Sequence, residues 1–380
     1  AGGTIICTQY LGQKNHEMAN KSARQALFII TAISVCIVTL GLIFRAPLLS
    51  FIFGKVDADV MDNSMVYFFY TVLSYPFIAL YDAGASIFRA QENTRGPMVI
   101  SIISNVMNIG GNAVLIWVFH MGVAGAAIST LVSRIFCAVV VLYQLRKDRQ
   151  PIAVRDYLNI RPDGNMIKRI LALGVPSGVE NSMFQLGKLA IQSTVSTLGT
   201  TAIAAQAMTN MLEMLNGTAV IGVGIGLMTV VGQSLGAGRK DEAVYYMKKL
   251  MIFSEVFLIA CCAVVYVLAR PITMIGGMEA KSAEMCLDMM FWITIVKPMV
   301  WMFAFIPAYG MRAAGDVKFS MITSCITMWT FRFCLCVYLI RVCGMGPMAV
   351  WIGMFTDWTV RAIVFGLRFK SGKWMEHKVV

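Results

Sequence analysis

The chain has 380 residues, 58% of them hydrophobic and only 14% charged, with a mean hydropathy of +0.71. That leaves too little polar surface to coat a water-soluble globule of this length, so the composition excludes a soluble enzyme or binding module and places the chain in lipid. The formal net charge of +12 would suggest nucleic acid in a soluble chain, but in a membrane chain it has to be read by position.

About 20 apolar residues cross a hydrocarbon layer. On that measure we read a partial span at 1–11 and ten full ones at 26–49, 65–87, 98–119, 123–145, 167–198, 201–232, 247–268, 285–309, 319–340 and 348–369. Pro76, Pro176, Pro298 and Pro307 fall inside spans, where neighbouring helices re-satisfy the backbone groups a proline frees. The 28 Met and 22 Phe suit the irregular gaps of helix packing.

Ionisable groups at bilayer depth are costly, so each one within a span is a candidate for chemistry. Asp82, beside Tyr81, is the carboxylate well inside the visible N-terminal spans; it reads as a cation site or as the partner of Arg89. Asn105, Asn108 and Asn112 fall at i, i+3 and i+7, a stripe of amides that lines a wet cavity or joins helices. Glu180, four residues after Pro176, shares its span with Asn181, Gln185 and Lys188. It reads either as a titrating, cation-holding group or as a packing contact paired with Lys188 or Lys297. Glu213, Glu255, Lys297, Arg332 and Asp357 lie within or near later spans. Lys297, beside Pro298, is expected at mid-depth, neutralising Glu180 or Glu255 until an organic cation or proton displaces it. Asp357 and Arg361, at i and i+4, form a structural pair.

Other chemistries find no support. Cys36, Cys137, Cys261, Cys262, Cys325, Cys334 and Cys336 sit in apolar runs, no Cys-x-x-Cys occurs, and His16, His120 and His377 are scattered, so no metal site is expected. The glycines at 222, 224 and 226 lie mid-helix without a preceding strand, which suits close helix packing rather than a nucleotide. No nucleophile and base stand at enzymatic spacing, so no catalytic residue is assigned and the chain is not read as an enzyme.

Threading the spans puts 22 of the 32 basic residues on one side, including Arg89, Arg95, the stretch 146–169, Lys248, Lys249, Arg312 and the C-terminal tail. The opposite side holds Arg45, Lys55, Arg270, Lys281 and Arg341, with Asp57, Asp59 and Asp62 beside Lys55. The bias makes the first side cytoplasmic and accounts for the basic charge without nucleic acid.

The chain also repeats itself. Gln9-Tyr10-Leu11-Gly12 returns as Gln233-Ser234-Leu235-Gly236, 224 residues on. Arg89-Ala90 returns as Arg312-Ala313 at 223, and the glycine-opened stretch at Gly122 returns at Gly344, at 222. Both copies carry their Arg-Ala loop on the same side, so they are parallel repeats with a pathway between them. We therefore expect an N-terminal lobe at 1–145, a cytoplasmic linker at 146–164, a C-terminal lobe at 165–370 and a cytoplasmic tail at 371–380. By the offset, roughly 60 residues of the second copy have no upstream partner, so the first copy is expected to lack its first helix and most of its second. The fold class is all-α integral membrane: two pseudo-symmetric bundles, six plus six helices when complete, with about ten and a half spans here.

These features resemble the multidrug and toxic compound extrusion (MATE) family, within the larger group of multidrug, oligosaccharide-lipid and polysaccharide exporters. The resemblance rests on Gly-Gln-x-Leu-Gly-Ala-Gly at 232–238 with its weaker copy at 8–14, the two Arg-Ala loops, and Gly122-Val123-x-Gly125-Ala126-Ala127. Gly174-Val175-Pro176, Asp357-Trp358 with Arg361, and Ser371-Gly372-Lys373-Trp374 extend it over nearly the whole chain. It implies a two-lobed antiporter in the plasma (inner) membrane that expels small cationic or amphipathic organic compounds in exchange for Na⁺ or H⁺. We further expect no cofactor, no nucleic-acid partner and a monomer. The position seven before Gly199, where an N-terminal lobe of the family often has Asp, holds Gln192, a departure that leaves the coupling ion open. The alternative in the same group is a flippase for a lipid-linked oligosaccharide precursor.

Overall fold

The computed structural model describes residues 2–53, 57–147, 151–155, 157, 160–377 and 379–380. Lys55 and positions 148–150 of the expected linker, with Arg149 among the loop bases, lie outside the described residues, as does Lys378 of the tail. Among the described residues the structure is helical and contains no strand. Two compact units follow one another, 1–171 and 172–380.

The first unit holds α1 (Gly2–Gly12), α2 (His16–Ile43), α3 (Arg45–Phe53), α4 (Ala58–Leu73), α5 (Tyr75–Ala90), α6 (Arg95–Ala113) and α7 (Gly122–Leu145). A wide π-turn, Val114–Val118, ends α6. Helix α8 (Gly164–Val195) crosses the boundary between units. The second unit continues with α9 (Thr200–Gly236), α10 (Lys240–Ile275), α11 (Ala280–Ala313), α12 (Val317–Thr327), a π-stretch at Met328–Cys334, α13 (Leu335–Arg341) and α14 (Met348–Ser371).

Among the described residues, nine stretches are long and apolar enough to cross a membrane, with α4 and α5 running on as one and α12 to α13 as another. The break between α4 and α5 sits at Ser74, two residues before Pro76, where the Ser74 hydroxyl donates to the Thr71 carbonyl at 2.6 Å. The helices overshoot the apolar windows read from sequence: α2 starts ten residues before 26, because its first turns are amphipathic and carry a cap, Asn15 Oδ1 accepting from the Met18 amide at 3.1 Å. Outward-facing side chains include Val106, Trp117, Phe119, Ile252, Val256 and Val267, all exposed, which is the reverse of a water-soluble surface. Where α14 crosses the π-stretch, a Cβ on Gly353 would lie 2.8 Å from the Arg332 carbonyl, so that crossing needs glycine.

The repeat is visible in backbone detail within each unit. Lys14 has φ +58° and its counterpart 224 residues on, Gly238, has φ +75°. Glu92 has φ +65° and Gly315, 223 on, has φ +91°; Gly122 and Gly344, 222 apart, have +52° and +64°. The hydrogen bonds correspond too. The amides of Lys14 and Asn15 donate to the carbonyls of Leu11 and Tyr10, and those of Gly238 and Arg239 donate to Leu235 and Ser234. Likewise Glu92 and Asn93 donate to Arg89 and Phe88, as Gly315 and Asp316 do to Arg312 and Met311. This is the paired closure that satisfies the last carbonyls of a helix around one left-handed residue. The first unit holds a side chain at two of these turns and the second holds glycine. Gly238→Ala is therefore expected to lower stability by about 1 kcal/mol through backbone strain alone, since no atom crowds that Cβ. Lys14→Ala at the matching turn is expected to be close to neutral, and thermal unfolding of the two purified variants checks the contrast.

The described part of the stretch at 146–164 is not a loose tether. Ile152 and Val154 are fully buried. Their segment is pinned by the Ile152 amide donating to Gln91 Oε1, the Ala153 amide to Asn20 Oδ1 and the Val154 amide to the Leu145 carbonyl, each at 2.9 Å, and by Asn20 Nδ2 donating to the Pro151 carbonyl at 3.2 Å. Gln25 then clamps the chain at both ends of its amide, donating to the Arg161 carbonyl at 2.7 Å and accepting from the Asp163 amide at 3.2 Å. The Lys21 ammonium beside Asp163, with the Met166 amide also donating to it, holds the Asp163 carboxyl below the usual carboxylate range. A depressed carboxyl supports its contact at neutral pH and loses it only as pH falls through the folded value, so this anchor fails in acid alone.

Candidate functional site

Helix α8 has three distinct sides. Its buried side carries Ser177, Glu180, Ile191 and Thr194. An exposed apolar side carries Val175, Val179, Leu186 and Leu189, the kind of surface lipid accepts. A second exposed side carries Asn181, Gln185, Lys188 and Gln192, at i, i+4, i+7 and i+11 on one helical stripe. The polar stripe is therefore distinct from the side of the same helix that suits lipid. This stripe also explains why α8, despite its 32 residues, is not among the apolar spanning stretches. The stripe gathers Gln185 and Gln192 of the sequence candidates, together with Lys188.

Behind the stripe lies a charge network inside the second unit. The Phe184 ring has the Lys188 ammonium 5.0 Å from its centroid, the Arg332 guanidinium at 5.0 Å and that of Arg361 at 6.0 Å. Asp357, fully buried, accepts from Arg361 Nε at 2.7 Å and stands 3.9 Å from Arg332 Nε. Arg361 also donates to the Ser324 hydroxyl at 3.2 Å and to its carbonyl at 3.1 Å. The expected Asp357–Arg361 pair is present, and it belongs to this larger cluster with two guanidinium groups to one carboxylate.

Glu180 is buried and takes neither of its expected partners. Its carboxylate accepts from Arg312 Nη2 at 2.7 Å, at the end of α11, with the Ser320 hydroxyl 3.5 Å away. Lys188 instead points out on the polar stripe, and Lys297 lies elsewhere. The expectation that Lys297 neutralises Glu180 or Glu255 is corrected in the same way: its ammonium reaches Glu213 Oε1 and Asn216 Oδ1, each at 2.5 Å, and the Glu213 carbonyl at 3.1 Å. One turn decides this, because Glu213 and Asn216 are three apart on α9 and face α11 together. Glu255, on α10, keeps one buried carboxylate oxygen without a hydrogen-bond partner.

In the first unit Asp82 is exposed on α5, and Arg89, its expected partner, donates to Ser86 Oγ at 3.0 Å. The amide stripe of α6 divides. Asn108 donates to Thr130 Oγ1 and accepts from Asn112, both at 3.3 Å, while its carbonyl accepts from Ser129 at 3.0 Å, tying α6 to α7. Asn105 is exposed. Arg134 donates to the Ser74 hydroxyl at 2.6 Å, bracing the break between α4 and α5.

Sequence reasoning overlooked Asn216, Gln206 and the aromatic partners. Gln206 is buried on α9 and accepts from Trp351 Nε1 at 3.1 Å. A signal was present: Gln206, Asn210, Glu213 and Gly217 mark one polar and small face of α9 at helical spacing. Among the described residues no cluster of three or more His, Cys, Asp or Glu could hold a metal ion.

Comparison with known proteins agrees with this architecture. The MatE family model matches residues 1–114 and 176–338. The chain is 23% identical to the Probable multidrug resistance protein NorM of Thermotoga maritima, covering 100% of this chain and 82% of that protein. It is 25% identical to the Uncharacterized transporter YisQ of Bacillus subtilis, covering 99% and 82%. Among solved structures, one described as the outward-facing conformation of a multidrug resistance MATE family transporter of the MOP superfamily superposes with a TM-score of 0.89 at 18% identity, covering 98% of this chain and 83% of that one. A MOP superfamily transporter from Pyrococcus furiosus, described by the reverse polarity of its binding pocket, superposes at 0.88 and 18%, covering 99% and 84%.

Proposed function

From the premise that the chain belongs to the MatE family and is a multi-pass multidrug efflux transporter rather than an enzyme, we propose that it expels cationic or amphipathic organic compounds in exchange for Na⁺ or H⁺. It works as a monomer in the plasma membrane, with the stretch at 146–164 and the C-terminus on the cytoplasmic side, in line with the bias of basic residues. The observation that carries this reading is the polar stripe of α8, an exposed polar side running beside an exposed apolar one on the same helix. Carboxylates held by paired bases, the buried Glu180 with Arg312 and the partly exposed Glu213 with Lys297, supply charges that a proton or cation can rearrange.

The test is accumulation of a fluorescent organic cation in an efflux-deficient host, with Na⁺ and pH varied independently. Lower accumulation than in a host carrying the empty vector, abolished when the coupling gradient is collapsed, is the expected result. Equal accumulation under every gradient would overturn the reading. A second reading, a flippase for a lipid-linked oligosaccharide precursor, draws on the exposed Lys188 backed by Arg332 and Arg361, which suit a phosphate. It predicts that an anionic amphiphile, and not a cation, is moved.

A further inference from the structure

Lys297 is fully buried near the middle of the 34-residue α11, so its ammonium lies deep in the hydrocarbon layer. Replacing a buried ion pair by well-packed apolar groups is often neutral or stabilising, so stability alone gives this lysine no advantage over a methionine. What surrounds the ammonium is a shell suited to a single positive charge. Three oxygens face it, from the Glu213 carboxylate, the Glu213 carbonyl and the Asn216 amide. The Trp301 ring presents its centroid 5.2 Å away.

Three further details fit a site rather than a packing contact. Asn216 is fully buried, yet its Nδ2 has no hydrogen-bond partner, so its amide is turned for the sake of its oxygen. A Cβ on Gly217 would stand 3.1 Å from Nζ, so glycine keeps that position open. The Glu213 side chain remains 19% exposed while that of Lys297 is at 0%, which leaves an approach through the carboxylate. Glu213 also lies within electrostatic reach of Lys188 and Arg332, and Cys262 on α10 within that of Lys297. One carboxylate balances one monovalent charge, and in this structure the chain supplies that charge itself.

We propose that Glu213, Asn216 and Trp301 form a binding site for a monovalent cation in which the Lys297 ammonium is the resident ion, leaving when an incoming cation takes its place. This deepens the exporter reading and rests on it for its role in transport, but the binding itself is testable alone. Na⁺ and a primary alkylammonium share the chemistry the site recognises, and separate arms of the test distinguish them.

The experiment measures thermal unfolding of the purified full chain in detergent, titrated with NaCl, propylammonium chloride or, as a neutral control, propanol, at constant ionic strength set by N-methylglucamine. Lys297→Ala vacates the volume of a propylammonium ion, and one or both cations are expected to raise its Tm saturably by several degrees. Lys297→Ala with Glu213→Gln and the propanol arm are expected to show no shift, and the native chain a smaller shift at higher cation concentration than Lys297→Ala, because an incoming cation must first displace the Lys297 ammonium. Lys297→Met fills the stem and frees only the Nζ position, so it is expected to respond to Na⁺ and not to propylammonium; it serves where the alanine variant does not fold. Indifference of the folded variants to both cations, or a response that survives Glu213→Gln, overturns the proposal. Neither result alters dye export by the native chain, so this inference and the exporter reading fail separately.

Discussion

Asp357→Ala is expected to destabilise the protein by about 3–5 kcal/mol, the cost of breaking a buried ion pair by removing one partner. Asp357 is the carboxylate that accepts from Arg361 and balances Arg332, and both guanidinium groups are about 3% exposed. Without it two arginines remain in the membrane interior facing Phe184 and Phe305, and among the described residues the Ser324 oxygens are left to accept from Arg361 and the Met328 sulfur from Arg332. Arg361→Met is expected to cost less, because it leaves the single negative charge beside Arg332. Comparison of Tm and the monodisperse fraction in detergent checks the order. A Tm for Asp357→Ala equal to or above that of Arg361→Met would show that the cluster is not held by its carboxylate.

The second large effect concerns transport. Converting Gln185, Lys188 and Gln192 to leucine together turns the exposed polar stripe of α8 into a second apolar side. On insertion scales leucine is favoured in hydrocarbon and lysine opposed by about 2.5–3.5 kcal/mol, so the triple variant is expected to keep or raise its Tm. Export is expected to fall to about a tenth or less, since a solute crossing beside that stripe loses its polar contacts. Undiminished export by the triple variant would remove the stripe from the pathway. A loss of folding rather than of export would instead make these residues structural.

The fold was legible because its signals are long and periodic. Runs of apolar residues set the spans, and three short matches at nearly one offset disclosed the duplication that the turns at Lys14 and Gly238 then display in backbone angles. The division of charge partners was not legible. Glu180, Glu213, Lys297, Arg312 and Asp357 are each evident as costly residues in sequence, but which base meets which acid depends on helix rotation and on where α9 and α11 cross. Glu180 was assigned to lysines near it in sequence or depth, whereas the end of α11 brings it Arg312, 132 residues away. Asp357 and Arg361 were correctly paired because one helical turn joins them, and a local rule needs no tertiary information. The amide stripe of α6 shows the limit from the other side. Spacing left two uses open, and Asn108 takes the second, donating to Thr130 to join α6 to α7 while Asn112 donates back to Asn108 within α6.

The strap at 151–154 sets a limit on how the two halves could be separated or re-joined. A flexible connector tolerates added length at little entropic cost, about 0.6 kcal/mol per doubling. This one is threaded into its own lobe with Ile152 and Val154 at 0% exposure. A reporter domain or protease site grafted there would tear out an inner seam of the first lobe.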